Sequence, residues 1–142
     1  MSKIQDTILL IDGHALVHRA FYAIQRPLTI RKTGEDVRGV YGFAQMLFGA
    51  IQNIKPTHLA VAFDTPAPTF RSDIYSEYKA NRPSSPDELR SQFPLVKELL
   101  SALNTPFYEL DGYEADDILG TLSAQATNHG LKTIIMTGDS DL

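Results

Sequence analysis

The amino-acid sequence predicts an α/β protein with a mostly parallel central sheet and helices on both faces. Three short apolar runs alternate with segments whose apolar residues repeat at helical spacing. The apolar runs cover residues 7–11, 59–63 and 133–136. Unbroken apolar runs of four or five residues are typical of strands that are buried on both faces, as in parallel sheets covered by helices.

Each predicted strand ends at a polar turn. The first ends at Asp12-Gly13, the second at Asp64, and the third at Thr137-Gly138-Asp139. A weaker fourth candidate covers 107–110 and ends at Asp111-Gly112. This order, with helices filling the gaps between the strands, is typical of successive parallel crossovers.

The helices have their own start and stop signals. Apolar residues at helical spacing predict a helix over 40–54, which Pro56 ends. A second helix begins at Ser85-Pro86, where Ser85 is a good N-cap, and runs toward Leu103 with a kink expected at Pro94. A third covers 115–126, and Gly130 provides its C-terminal cap.

Composition limits the possible classes of protein. The chain has 142 residues, of which 43% are hydrophobic and 21% charged, which predicts a single globular domain spanning 1–142. No run reaches the roughly 18 apolar residues of a transmembrane helix, and the N-terminus lacks a secretory signal, so we expect a cytoplasmic protein with no membrane partner. The absence of cysteine excludes disulfides, thiolate zinc sites, iron–sulfur clusters and a cysteine nucleophile.

Charge is distributed unevenly along the chain. The net charge is −4, but residues 1–108 carry 12 basic and 10 acidic side chains. Residues 109–142 carry seven acids against Lys132 alone. The chain therefore combines a weakly basic segment with a strongly acidic one, although ordinary surface charge could also produce this pattern.

Acidic residues follow the ends of the predicted strands. Because the carboxyl ends of parallel strands meet at one edge of a sheet, we expect the aspartates there to converge. The fourth candidate strand leads into a helix whose first turn holds three more acids. Acids are favoured at helix N-termini, and this explains two of these three but not the whole set. The set comprises Asp12, Asp64, Glu114, Asp116, Asp117 and Asp139.

Such a set of carboxylates predicts bound cations. Two like charges about 6 Å apart repel by nearly 3 kcal/mol at an effective dielectric constant of about 20. Either the pKa values of some carboxyl groups rise or metal ions bind. Oxygen ligands favour Mg²⁺ or Mn²⁺ over Zn²⁺, and two such ions support phosphodiester hydrolysis. On this view, Asp64→Ala or Asp116→Ala would preserve or strengthen the metal-free fold.

The predicted loop over about 65–90 interleaves aromatic and cationic residues. Its stretch 70–83 contains Arg71, Tyr75, Tyr78, Lys79 and Arg82. This mixture suits a nucleic-acid backbone and unstacked bases. A surface helix with Ile74 and Tyr78 turned inward explains the pattern equally well.

Several motifs follow one another in a fixed order between residues 7 and 142. They are Ile11-Asp12-Gly13-His14, Arg19-Ala20-Phe21-Tyr22-Ala23, Gly39-Val40-Tyr41-Gly42-Phe43, Ala62-Phe63-Asp64, Phe70-Arg71, Tyr78-Lys79-Ala80-Asn81-Arg82, Gly112-Tyr113-Glu114-Ala115-Asp116-Asp117 and Thr137-Gly138-Asp139-Ser140-Asp141. Taken together, these motifs resemble the 5′ nuclease family, and most closely the 5′→3′ exonuclease domain at the N-terminus of bacterial DNA polymerase I, a relative of the flap endonucleases.

The resemblance implies a PIN-like fold and a nuclease that removes RNA primers and 5′ flaps, using Mg²⁺ or Mn²⁺. It implies that Lys79 and Arg82, at the base of an arch, act on the scissile phosphate. The implied metal ligands are Asp12, Asp64, Glu114, Asp116, Asp117, Asp139 and Asp141. The implied nucleic-acid contacts are Arg19, Arg38, Arg71, Tyr75 and Tyr78, with Gly39 and Gly42 lying close to the DNA backbone.

The resemblance also implies elements beyond Leu142. These are two further metal-binding acids, a helical subdomain that grips duplex DNA, and a polymerase module on a longer polypeptide. We therefore expect an N-terminal part of a nuclease domain, with two ions in the complete domain, acting near the bacterial nucleoid on flaps, nicks or RNA primers. The alternative is a catalytically incomplete nucleic-acid-binding fragment.

Two other enzyme classes fit less well. A receiver domain also collects acids at strand ends, but it needs a lysine on a late strand and gives no reason for the Tyr78-to-Arg82 motif. A phosphatase of the haloacid dehalogenase type needs Asp-x-Asp after the first strand, and Asp12-Gly13-His14 breaks that pattern.

Overall fold

The computed structural model describes residues 6–65 and 87–138. Its centre is a sheet of four parallel strands in the order β3-β2-β1-β4, which confirms the predicted α/β class. The strands are β1 (Thr7–Asp12), β2 (His58–Ala62), β3 (Phe107–Tyr108) and β4 (Lys132–Met136). The helices are α1 (Gly13–Ala23), α2 (Arg38–Ile54), α3 (Asp87–Arg90), α4 (Gln92–Ala102) and α5 (Ala115–Asn128).

Side chains alternate across the sheet and form one hydrophobic cluster on each face. Leu9 and Ile11 of β1 point toward α1, α2, α3 and α4, where Phe43 and Leu100 are fully buried. Leu10 points to the opposite face, where Leu119 of α5 covers it. The predicted arrangement of helices on both faces is therefore confirmed.

The three long strands differ in burial. The central strands β1 and β2 are buried on both faces, as their apolar runs predict. The same prediction is wrong for β4, whose residues are half-buried or exposed, with Ile135 37% exposed. The difference follows from position, because among the described residues β4 pairs with β1 alone.

The helix expected to run from Ser85 to Leu103 is two helices. Within the described residues, α3 ends at Arg90 and α4 begins at Gln92. Pro94 lacks the N–H that would bond to the carbonyl of Arg90, and its ring crowds that carbonyl. The chain therefore breaks at Ser91, and Pro94 lies in the first turn of α4, where no N–H is needed. The predicted loop over 65–90 thus has a helical end.

The other helix boundaries agree with the predicted signals. Lys55, the C-cap, has φ 52° and donates its N–H to the carbonyl of Ile51, so that α2 ends at Ile54, two residues before Pro56. Gly130 follows α5 with φ 76°, the conformation expected of a glycine after a helix. No helix within the two described ranges is long and apolar enough to cross a membrane.

Candidate active site at the carboxyl ends of the strands

Asp12 is held in place by two neighbouring elements. It is the last residue of β1 and the N-cap of α1, and its Oδ1 accepts a hydrogen bond from the N–H of Ala15 at 3.0 Å. Its Oδ2 accepts one from the hydroxyl of Thr137, just after β4, at 3.3 Å. Only 6% of Asp12 is exposed. The carboxylate is therefore fixed between β1, α1 and the end of β4.

Asp64 connects the sheet to α5. It lies two residues beyond β2, and its Oδ1 accepts a hydrogen bond from the N–H of Ala115 at 2.6 Å. Its Oδ2 lies 3.8 Å from Nε2 of His14, whose ring stacks on Phe93 at a centroid distance of 4.8 Å. Asp64 thus satisfies a backbone donor in the first turn of α5, which would otherwise have no partner within the helix.

The three acids at the start of α5 have different local roles. Glu114 is the N-cap, is buried, and forms a capping box with Asp117. In this box Oδ2 of Asp117 accepts the N–H of Glu114 at 2.9 Å. Asp116, between them in the first turn, is half-buried. The favourable effect of acids at a helix N-terminus therefore explains part of this group, as the sequence suggested.

The structure brings the predicted acids to one edge of the sheet, which we call the carboxylate rim: Asp12, Asp64, Glu114, Asp116 and Asp117. Asp12 aligns with Ala62 in the β1–β2 register, and α5 begins against Asp64. Within 6–65 and 87–138, however, no three acidic or histidine side chains are close enough to hold a metal ion. The expected crowding of six or seven carboxylates stays a prediction, because Asp139 and Asp141 lie outside the described residues. Hydrogen bonds direct Asp12, Asp64 and Asp117 toward backbone donors.

Two predicted ligands, Asp139 and Asp141, lie outside the described residues. The chain does lead to this rim, since Thr137 contacts Asp12 and a Cβ on Gly138 would lie 3.5 Å from Cβ of Ala15. The donor chemistry suits a hard divalent cation, since every rim residue provides carboxylate oxygens. The five described acids form an incomplete ligand set by themselves.

The expectation that Asp64→Ala would leave the metal-free fold intact conflicts with the geometry. Relief of charge repulsion was the reason for that expectation. The carboxylate instead caps α5, so its removal leaves the N–H of Ala115 without this acceptor.

Gly39 and Gly42 pack against neighbouring helices, and their expected approach to DNA stays a prediction. Both are buried. A Cβ on Gly39 would lie 2.6 Å from Oε1 of Gln92, and a Cβ on Gly42 would lie 2.7 Å from Cβ of Ala20. Their lack of a side chain lets α2 approach α4 and α1.

Arg38 is held within the protein, whereas Arg19 is exposed. The Arg38 guanidinium lies 3.8 Å from the centre of the Phe21 ring and 3.0 Å from Oδ2 of Asp36, and its side chain is 15% exposed. These contacts give Arg38 a structural role at the start of α2. Arg19 points to solvent from α1. Its contact with nucleic acid stays a prediction.

The remaining predicted residues of the site lie outside the described ranges. They are the predicted catalytic pair and the aromatic and basic contacts of the 65–90 segment, namely Lys79, Arg82, Arg71, Tyr75 and Tyr78.

Two supporting residues were missed from the sequence. Gln92 is fully buried, and its Oε1 accepts the N–H groups of Gly39 and Val40, the latter at 3.2 Å. Its Nε2 donates to the carbonyl of Glu88 at 3.0 Å. No local pattern marks a glutamine as the cap of a helix 50 residues away. Thr137, in contrast, could have been noticed because it immediately follows a strand at the predicted edge.

Comparisons with known proteins place these features in a family. The family model described as the 5′-3′ exonuclease, N-terminal resolvase-like domain, matches residues 7–142. The chain is 50% identical over 135 residues to DNA polymerase I of Chloroflexus aurantiacus and 44% identical over 138 residues to that of Geobacillus stearothermophilus. These alignments cover 95% and 97% of the chain but only 14% and 16% of the two polymerases.

Solved structures share the fold. A zinc-bound bacteriophage T5 5′-exonuclease superposes with a TM-score of 0.70 at 19% identity, covering 95% of this chain and 50% of that one. A T5 flap endonuclease in a pseudo-enzyme-product complex with DNA and metal ions superposes with a TM-score of 0.66, also at 19% identity, covering 94% and 49%. The first neighbour has divalent zinc ions bound and the second holds DNA and metal ions, and this chain spans about half of each.

Proposed function

Because the chain belongs to the family of 5′-3′ exonuclease N-terminal, resolvase-like domains, we propose that its carboxylate rim hydrolyses phosphodiester bonds near the 5′ ends of DNA strands or RNA primers. The reaction class is that of a 5′→3′ exonuclease or 5′ flap endonuclease. The proposed cofactor is Mg²⁺ or Mn²⁺.

One observation carries this proposal. Asp12 and Asp64 follow neighbouring parallel strands, and Asp64 bonds directly to the first turn of α5, which adds the acids at 114, 116 and 117. Three separate elements of the chain therefore contribute carboxylates to one edge of the sheet. This edge is where open α/β sheets bind their ligands.

The role of the protein is to hold these carboxylates in fixed orientations. Each carboxylate oxygen has two lone pairs, so Asp12 can accept from Ala15 and Thr137 and still offer oxygen electrons to a cation. Oδ2 of Asp64 can likewise bind a cation, while its Oδ1 accepts the N–H of Ala115 at the start of α5. Divalent ions, when bound, would activate water and stabilise charge on the phosphate. Asp139 and Asp141 are the proposed further ligands of a two-ion set.

Substrate recognition is assigned by the family resemblance to residues outside the described ranges. Lys79 and Arg82 are the proposed cations beside the scissile phosphate, and Arg71, Tyr75 and Tyr78 are the proposed further contacts to the nucleic acid. Since the curated relatives are much longer polymerases, we further propose that the activity works beside a polymerase module in replication and repair in the bacterial cytoplasm.

A second candidate function is nucleic-acid binding without cleavage. It is the alternative that the sequence left open, in which the acids are present but the chemistry is lost. In that case nucleic acid would bind, but adding divalent ions would not lead to hydrolysis.

The test is cleavage of a 5′-labelled flap duplex by the chain in Mg²⁺ and in EDTA. Release of short 5′ products only in Mg²⁺, lost in Asp64→Asn, is the expected result. Asp6→Asn is the matched control, because Asp6 is exposed at the opposite end of β1. Flap binding without Mg²⁺-dependent cleavage would establish the second candidate, and cleavage retained in Asp64→Asn would contradict the assignment of the rim.

A further inference from the structure

The hydroxyl of Thr137 connects two elements of the carboxylate rim. Thr137 directly follows β4, and its Oγ1 donates a hydrogen bond to Oδ2 of Asp12 at the end of β1. The next residue, Gly138, lies beside the first turn of α1, where a Cβ on Gly138 would be 3.5 Å from Cβ of Ala15. Thr137 therefore joins Asp12 to the chain that leaves β4.

One hydrogen bond does not fix the orientation of an aspartate carboxylate. The torsion about its Cβ–Cγ bond has a broad, roughly two-fold preference, so the plane of the carboxylate is set by its hydrogen-bond partners. The N–H of Ala15 holds Oδ1 of Asp12 at 3.0 Å, and the hydroxyl of Thr137 holds Oδ2 at 3.3 Å. One donor belongs to α1 and the other follows β4. Together they fix the carboxylate plane relative to both elements.

We propose that Thr137 is a positioning residue of the carboxylate rim, whose hydroxyl orients Asp12 for the binding of a divalent cation. This inference rests on the proposed function, in which Asp12 is a metal ligand. A group that hydrogen-bonds to a metal ligand orients that ligand, and its loss typically weakens metal binding by about 10–100-fold. Because Thr137 acts through Asp12, its effect is on the affinity for the cation.

Thr133 provides a matched control four residues earlier in the chain. It lies within β4, and its Oγ1 is buried and has no hydrogen-bond partner in the part of the chain that the structure describes. Thr137→Val and Thr133→Val therefore remove the same hydroxyl, once from a residue that bonds to Asp12 and once from a residue that does not. Thr137→Ser keeps the hydroxyl and removes only a methyl group.

The first measurement is the amide chemical shift of Ala15 in the full chain in EDTA. Because this N–H donates to Asp12, its resonance reports on the carboxylate in the absence of metal. We expect the resonance to move in Thr137→Val, to move much less in Thr137→Ser, and to stay at the parent position in Thr133→Val. If the valine variant does not fold, Thr137→Ala removes the same hydroxyl in a smaller side chain.

The second measurement is the dissociation constant of Mn²⁺, followed by electron paramagnetic resonance. It should rise about tenfold in Thr137→Val and stay within about twofold of the parent value in Thr137→Ser and Thr133→Val. Equal losses of affinity in the valine and serine variants at 137 would show that the shape of the side chain matters rather than its hydroxyl. That result would overturn the proposal, as would an unchanged Ala15 resonance in Thr137→Val.

Cleavage of the flap duplex by the parent chain separates this inference from the proposed function. If the parent cleaves in Mg²⁺ while Thr137→Val binds Mn²⁺ as tightly as the parent does, only the role of Thr137 is refuted. If the parent neither binds Mn²⁺ nor cleaves, the proposed function is refuted and the role of Thr137 with it.

Discussion

Substitution of Gly42 by alanine tests whether this residue packs between helices or lies against DNA. A Cβ at this position would lie 2.7 Å from Cβ of Ala20, 3.3 Å from its Cα and 3.5 Å from its carbonyl oxygen. Ordinary carbon contacts are about 3.5–4.0 Å, so α1 and α2 would have to separate by close to 1 Å. Because two of the three atoms belong to the α1 backbone, no side-chain rotation can relieve the clash.

The magnitude follows from two opposing effects. Overpacking a well-packed interface costs about 1–3 kcal/mol. Replacing glycine by alanine inside a helix gains about 1 kcal/mol from helix propensity. Gly49 lies in the same helix with nothing within 4 Å of a Cβ, so Gly49→Ala should show the gain alone. The free energy of unfolding of Gly42→Ala should therefore be about 1–3 kcal/mol lower than that of Gly49→Ala.

The assay is urea and thermal unfolding of both variants and the parent chain. At about 3 °C per kcal/mol for a chain of this size, the midpoints of the two variants should differ by about 3–9 °C. DNA binding by both folded variants is measured in parallel. If Gly42→Ala proved as stable as Gly49→Ala but bound DNA much more weakly, the packing argument would be refuted. The result would instead support the interpretation that Gly42 lies against DNA.

Two further substitutions test the supporting hydrogen bonds. Asp64→Ala in EDTA should lower the free energy of unfolding by about 1 kcal/mol because α5 loses a cap, whereas Asp64→Asn keeps an acceptor and should stay within about 0.5 kcal/mol of the parent. A more stable Asp64→Ala would instead show that charge repulsion dominates. Gln92→Ala should lower the free energy of unfolding by about 2–4 kcal/mol, since it leaves the N–H groups of Gly39 and Val40 and the carbonyl of Glu88 without this partner. If urea unfolding shows that the free energy of unfolding falls by less than about 1 kcal/mol, water has replaced the side-chain amide of Gln92 as the hydrogen-bond partner.

The sequence predicted more of the fold than of the site. The ends of β1 and β2 near Asp12 and Asp64, and of α2 and α5 before Pro56 and Gly130, follow from local chemistry, and each lies within two residues of the predicted position. The burial of β4 was predicted wrongly, and the kink expected at Pro94 is an interruption at Ser91, three residues earlier. The burial of a strand depends on how many strands and helices pack against it, which an apolar run does not determine. The position of a helix break depends on which helical turn contains the proline, which a capping residue does not determine.

The positions of the acids at the strand ends follow from the amino-acid sequence, and with them the expectation that one edge of a parallel sheet is rich in carboxylates. This expectation needs no tertiary information, because all strands of a parallel sheet end at the same edge. The hydrogen bonds that those carboxylates make depend on the folded arrangement. Asp64 caps a helix that starts 51 residues later, and Gly42 packs on a helix that precedes its own. Such contacts join segments far apart in the chain, and their geometry is set by packing, which no local pattern encodes.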